Sequence, residues 1–173
     1  EDYRTESYLG RARYSFDDKY FAEASIRRDG SSRFGKDYRW GNFWSIGGSW
    51  LLSRENFFQP LSNTINYAKL RASYGEVGND ASASKYAYMA LYALSQNNNL
   101  GAVYLSQIPA PALVWETTSS YNIGLETRVL NKANVTVEYF DKRSKNLLMD
   151  LFLPLSAGAT STTAAESTVK TNV

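Results

Sequence analysis

The chain has 173 residues, 43% hydrophobic and 14% aromatic, with a formal net charge of +2 from 19 Lys plus Arg against 17 Asp plus Glu. So balanced a charge gives no reason to expect a nucleic-acid partner, and the absence of cysteine and histidine removes Cys nucleophiles, His-dependent triads, disulfides and Cys/His metal sites. Mean hydropathy is -0.42 and no run approaches the ~20 apolar residues of a membrane helix, which excludes a helical membrane protein but not a β-barrel, whose strands show lipid only alternate residues.

The chain opens on Glu1 with no Met and no signal-like segment, which reads as a processed or excised start. Period-2 alternation then predicts six strands, at 7–16, 20–28, 42–50, 67–75, 117–127 and 134–145, each antiparallel to its sequence neighbour. In the first, Tyr8, Gly10, Ala12, Tyr14 and Phe16 oppose Ser7, Arg11, Arg13 and Ser15. In the second, Tyr20, Ala22, Ala24 and Ile26 oppose Glu23, Ser25 and Arg27 across the turn Asp17-Asp18-Lys19. The third sets Trp44, Ile46, Gly48 and Trp50 against Phe43, Ser45, Gly47 and Ser49, and the fourth sets Ala68, Leu70, Ala72 and Tyr74 against Lys69, Arg71 and Ser73. The last two set Tyr121, Ile123 and Leu125 against Ser120, Asn122 and Glu126, and Val135, Val137 and Tyr139 against Asn134, Thr136 and Glu138.

Connections alternate short and long, with 76–114 the longest, as in an up-and-down barrel with loops massed on one rim. The Ala/Ser/Thr-rich stretch 155–173 reads as loop or mobile tail. Alternation of this kind more often marks a half-buried strand of a soluble sandwich. Three details point the other way: apolar faces built from Ala, Gly, Tyr and Trp, aromatics near strand ends, and Arg and Lys along the opposite faces.

Nothing assembles a catalytic site. Asp17 and Asp18 point apart in a turn, Ser31 and Ser32 have no His, Lys36 is too close in a loop for a dyad, and Gly75 to Gly78 lack the helix and Lys of a phosphate loop. Arg27, Arg28, Arg33, Lys36 and Arg39 cluster at one strand–loop junction, open either to an anionic lipopolysaccharide or acidic substrate or to plain solvation. Tyr38, Trp40, Phe43 and Trp44 beside them suit an aromatic girdle better than a sugar platform.

The run Ala24 to Gly35, A-S-I-R-R-D-G-S-S-R-F-G, closely resembles a strand and loop of the SusC/RagA-type TonB-dependent outer-membrane transporters. Trp40-Gly41 with Ser45 to Trp50, Lys69 to Gly75 with Gly78-Asn79, Trp115-Glu116-Thr117-Thr118 with Asn122 to Glu126, and Val137 to Leu148 resemble successive blocks of the family in the family's order. Trp44 stands where Pro is usual, Phe140 where Tyr is common, and Ala110-Pro111-Ala112 replaces a more polar stretch. The resemblance implies a plugged barrel of about 22 strands, of which 1–154 is a wall section and 155–173 a loop or tail.

It further implies a non-enzymatic importer of oligosaccharide, peptide or similar nutrients, without cofactor or metal, multi-pass in the cell outer membrane. Its partners would be a SusD-like surface lipoprotein, TonB through a region outside these residues, and outer-membrane lipid, with no nucleic acid. Lipid would be faced by Ala22, Ala24, Ile26, Ile46, Leu70, Ala72, Ile123, Val135 and Val137. Interfacial aromatics would be Tyr8, Tyr20, Trp44, Trp50, Tyr74, Trp115 and Tyr139. The alternative is a soluble, non-enzymatic β-domain binding carbohydrate or a protein partner, with its apolar residues in a core.

Overall fold

The computed structural model describes residues 3–81, 83, 85–98, 100–153 and 167–172. Its centre is one antiparallel sheet of strands β1 (Thr5–Phe16), β2 (Tyr20–Ser31), β3 (Trp40–Trp50), β4 (Ile65–Asn79), β7 (Glu116–Val129) and β8 (Ala133–Lys145), in that order. The six predicted strands are all present, each beside its sequence neighbour, with boundaries that run up to four residues longer. The longest extension carries β4 to Asn79, because Glu76 to Asn79 keep pairing with Glu116 to Ser119.

Two tight turns on one rim come from residues that accept a left-handed backbone. Asp17 and Asp18 have φ of 51° and 48°, and Lys19 N donates to Phe16 O at 3.0 Å, the hairpin turn whose twist suits a right-twisted sheet. Leu130 and Asn131 repeat it at 50° and 55°; a branched Leu in this conformation costs ~1 kcal/mol.

The connection between β3 and β4 runs along the same rim as two short 3-10 turns, Leu52–Arg54 and Asn56–Leu61. It ties the neighbouring turns together: Leu51 N donates to Lys19 O at 2.8 Å, Leu130 N to Thr64 O at 2.8 Å, and Asn131 N to Asn66 Oδ1 at 2.7 Å.

The long connection predicted at 76–114 is not all loop. It contains a hairpin, β5 (Leu91–Asn97) with β6 (Leu100–Gln107), whose consecutive apolar residues interrupt the period-2 pattern. A second hairpin pairs β9 (Leu148–Leu153) with β10 (Ser167–Asn172). Residues 167–172 of the expected tail are therefore strand; the rest of 155–173 lies outside the described residues. Among those residues no helix is long and apolar enough to cross a membrane.

Candidate functional site

The cross-strand register gathers most of the apolar positions on one side of the six-strand sheet, with Leu9, Phe21 and Phe43 on the other. Ala22 faces Gly48, Ala24 faces Ile46, and Ile26 faces Trp44; Gly48 faces Ala72 and Trp50 faces Leu70; Ile123 faces Tyr139 and Leu125 faces Val137. On the inner strands β2, β3, β4 and β7 most of these residues are more exposed than their polar neighbours, while on the edge strand β8 nearly every residue is exposed. Ala22, Ala24 and Ile26 are exposed while Glu23 and Ser25 between them are half-buried, and Leu70, Ala72 and Ile123 are exposed beside half-buried Lys69, Arg71 and Asn122. Ile26 is 61% exposed and Val137 65%. A water-soluble sandwich has the opposite order, because water should meet the charges and the core should take the apolar groups.

The polar face curls inward. A cavity of about 600 Å³ opens on it, lined from all six strands by residues including Arg13, Glu23, Lys69, Arg71, Asn122 and Glu138. Its charges pair across strands: Glu23 lies 2.6 Å from Arg13 and 3.3 Å from Arg11, and Arg71 bridges Glu126 and Glu138, each at 3.2 Å. Gly124 makes room for that bridge, since a Cβ there would stand 2.7 Å from Arg71 Nε.

Aromatics mark both edges of the exposed apolar band. Toward the turn rim, Tyr20 stacks on Trp50 at 6.0 Å and Phe16 lies 6.3 Å from Tyr20; Trp50 also meets Phe57 edge-on at 6.1 Å. Glu55 accepts hydrogen bonds from the Tyr20 hydroxyl at 2.7 Å and the Trp50 indole at 3.1 Å, with Lys19 Nζ at 3.8 Å. Those bonds, and then the Lys19 charge, hold the Glu55 carboxyl below the usual carboxylate range. Toward the loop rim, Tyr8 stacks on Trp40 at 6.1 Å and Trp44 packs on Tyr74 at 5.2 Å, whereas Tyr139 is exposed at the middle of β8, opposite Ile123.

Trp115 and Phe43 depart from the girdle. Phe43 points from the polar face, and both are buried with Phe34, Ala83, Ala87 and Leu113 in a small core beneath the long connection. The rings of Phe43 and Trp115 meet edge-on at 5.5 Å, and Trp115 Nε1 donates to Arg39 O at 3.1 Å. The Phe43 ring occupies the space in which a Cβ on Gly78 would have to sit, so this strand glycine is explained by close approach. Beside this core, Asp80 accepts from Tyr3 and Ser31 hydroxyls, each at 2.7 Å, while Arg33 Nη1 donates to Asp80 O at 2.6 Å. Periodicity hides this rim cluster, because its members come from loops far apart in sequence.

The five cations of the strand–loop junction do not form one patch. Arg27 is held at 2.7 Å by buried Asp29 on the polar face, Arg33 is engaged with Asp80 and lies over the Tyr3 ring at 4.4 Å, and Arg39 is half-buried. Arg28 stands alone on the apolar face, its guanidinium 5.0 Å above Trp40. Among the described residues no group of three or more His, Cys, Asp or Glu could hold a metal ion.

A sheet with its apolar side outward and its paired charges around a concavity is the wall of a membrane barrel, and comparison with known proteins agrees. Residues 1–173 match the family model described as TonB dependent receptor-like, beta-barrel. The chain belongs to this family. It is 38% identical over 160 residues to TonB-dependent receptor P39 of Formosa agariphila, covering 88% of this chain and 15% of that protein. It is 32% identical over 157 residues to TonB-dependent receptor SusC of Bacteroides thetaiotaomicron, covering 86% of this chain and 16% of that one. The structure of the RagAB peptide importer in its closed-closed state superposes with a TM-score of 0.85 at 28% identity, covering 99% of this chain and 18% of the other. The chain thus spans less than a fifth of the length of these relatives, and its six strands are an open section of an outer-membrane β-barrel.

Proposed function

We propose that these residues form a wall section of an energised outer-membrane importer of glycans, peptides or similar nutrients. The observation that carries this reading is the inverted exposure of the sheet, apolar residues outward and paired charges inward, in a chain of this family. On this reading Ala22, Ala24, Ile26, Ile46, Leu70, Ala72, Ile123, Val135 and Val137 face lipid. Tyr20 and Trp50 stand at the periplasmic interface, and Tyr8, Trp44 and Tyr74 at the outer one, because long connections belong to the cell-surface side.

On the same reading residues 1–154 are the wall section and 155–173 belong to a loop or tail of the same barrel. A SusD-like lipoprotein would meet the loop rim, and TonB would act through parts of the protein beyond these residues. RagAB is a peptide importer, which supports peptides among the candidate cargoes. The residues described contribute anchoring, a charged lining and a rigid loop base, and make or break no bond.

The test is to express the full-length protein in its host, fractionate the membranes, and measure uptake of oligosaccharides and peptides with and without the gene. Folded, heat-modifiable protein in the outer membrane and loss of uptake on deletion are expected. A protein recovered in the soluble fraction would overturn the assignment in favour of a soluble binding domain.

A further inference from the structure

Arg28 is the one cation of its junction that the fold leaves on the apolar face. Arg27, Arg33 and Arg39 are paired or half-buried among protein groups, whereas Arg28 is exposed and makes no ion pair among the described residues. Tyr8 lies directly opposite it on β1, and Trp40 lies under the guanidinium at 5.0 Å. The nearby carboxylate of Glu6 is already engaged by the Tyr8 hydroxyl.

Depth along the strand decides what such a cation can meet. Arg28 is eight residues from Tyr20, or ~26 Å along β2 at ~3.3 Å per residue, which a strand tilt of ~40° turns into ~20 Å of height, so with Tyr20 at one edge of a lipid-facing band ~25 Å tall Arg28 stands near the other. A guanidinium at mid-bilayer would cost ~2–4 kcal/mol but almost nothing at the interface. At that level the available anion is a headgroup phosphate, which a guanidinium binds through two parallel hydrogen bonds. The guanidinium sits over the Trp40 ring, which holds it in place by cation–π attraction and leaves its in-plane N–H groups available to an outside acceptor.

We propose that Arg28, seated on Trp40, binds the phosphate of an outer-leaflet anionic lipid headgroup and pins the β1–β3 part of the barrel to that leaflet. The proposal rests on the wall reading given above. The experiment uses the full-length protein in phosphatidylcholine nanodiscs with increasing lipid A, comparing wild type, Arg28→Gln, Arg27→Gln and Trp40→Leu, each first verified as a folded, heat-modifiable barrel.

Arg28→Gln is expected to raise the lipid A needed for half-saturation about tenfold, Trp40→Leu to raise it by about threefold, and Arg27→Gln to leave it unchanged. Should Arg28→Gln fail to fold, Trp40→Leu alone carries the test. Unchanged lipid A binding in Arg28→Gln, or in Trp40→Leu where that variant stands alone, would overturn the phosphate site and leave the wall intact. Complete competition by inorganic phosphate would overturn the lipid assignment. Failure of the wild type to enter bilayers would overturn the wall reading and this site with it.

Discussion

The two faces of the six-strand sheet are made of the same strands and carry opposite chemistry. On one, Ala24, Ile46, Leu70 and Val137 stand exposed, with no element over them among the described residues. On the other, Arg11, Arg13, Glu23, Arg71, Glu126 and Glu138 pair across strands around a cavity. Adjacent residues therefore answer to different solvents. A side chain is tolerated according to the medium on its own side, not according to the strand that bears it.

The sharpest way to break that comparison is to place the same side chain on both faces at neighbouring positions. Ala24→Arg puts a guanidinium on the lipid side, at a cost of ~2–4 kcal/mol near mid-bilayer, and should remove most folded barrel from outer-membrane fractions. Ser25→Arg removes the Ser25–Ser45 hydroxyl contact at 2.7 Å but points to the charged side, so most folded protein should remain. Equal amounts of folded barrel for the two variants would show that the faces are assigned wrongly.

The loop rim offers a second contrast, between a packed glycine and a free one. Gly78→Val should collide with the Phe43 ring and lower the stability of the rim by ~1–3 kcal/mol, read as faster proteolysis within residues 80–115. Gly101→Val, with open space around its Cβ, should leave proteolysis unchanged. Phe43→Ala added to Gly78→Val should relieve the collision without restoring the core, so its cleavage rate should stay above the wild-type rate.

On the inner face, Arg71→Met removes the cation shared by Glu126 and Glu138. All three side chains are a third or more exposed, at 42%, 33% and 43%, so solvent screening holds the loss to about 1 kcal/mol or less. It should shrink further as salt is raised, measured by unfolding of the purified protein in detergent.

The smallest effect is expected at the turn rim. The folded Glu55 carboxyl titrates below its unfolded value, so its contribution is complete above the ordinary carboxylate pKa of ~4.3 and is lost as pH falls through the lower folded value. Wild type should lose more thermal stability than Glu55→Gln between pH 5 and acid below about pH 4. Parallel pH curves for the two proteins would show that the bonds from Tyr20 and Trp50 do not depend on the charge.

Much of this architecture was legible in the residues alone. The strands β1 to β4, β7 and β8, the tight turn at Asp17-Asp18, and the division of each strand into two faces all follow from period 2 and from local backbone preference, which act within a few residues. Strands β5 and β6 were not legible, because apolar residues stand side by side at Leu91-Tyr92 and Val103-Tyr104-Leu105 and so break the alternation. Phe43 and Trp115 read as girdle aromatics and lie in a core instead, since their neighbours Phe34, Ala83 and Leu113 arrive through loops that periodicity does not describe.

The sequence by itself determined that the strands are amphipathic, which residues share a face, and which family the motifs resemble. Only the tertiary structure decided which face curls inward, which aromatics are covered, and which of the neighbouring cations lies over a Trp ring on the apolar face. The physical reason is range. Alternation and turn chemistry are local, whereas curvature, burial and charge pairing depend on residues brought together from distant parts of the chain, as Arg71 is with Glu138 and Ser31 with Asp80.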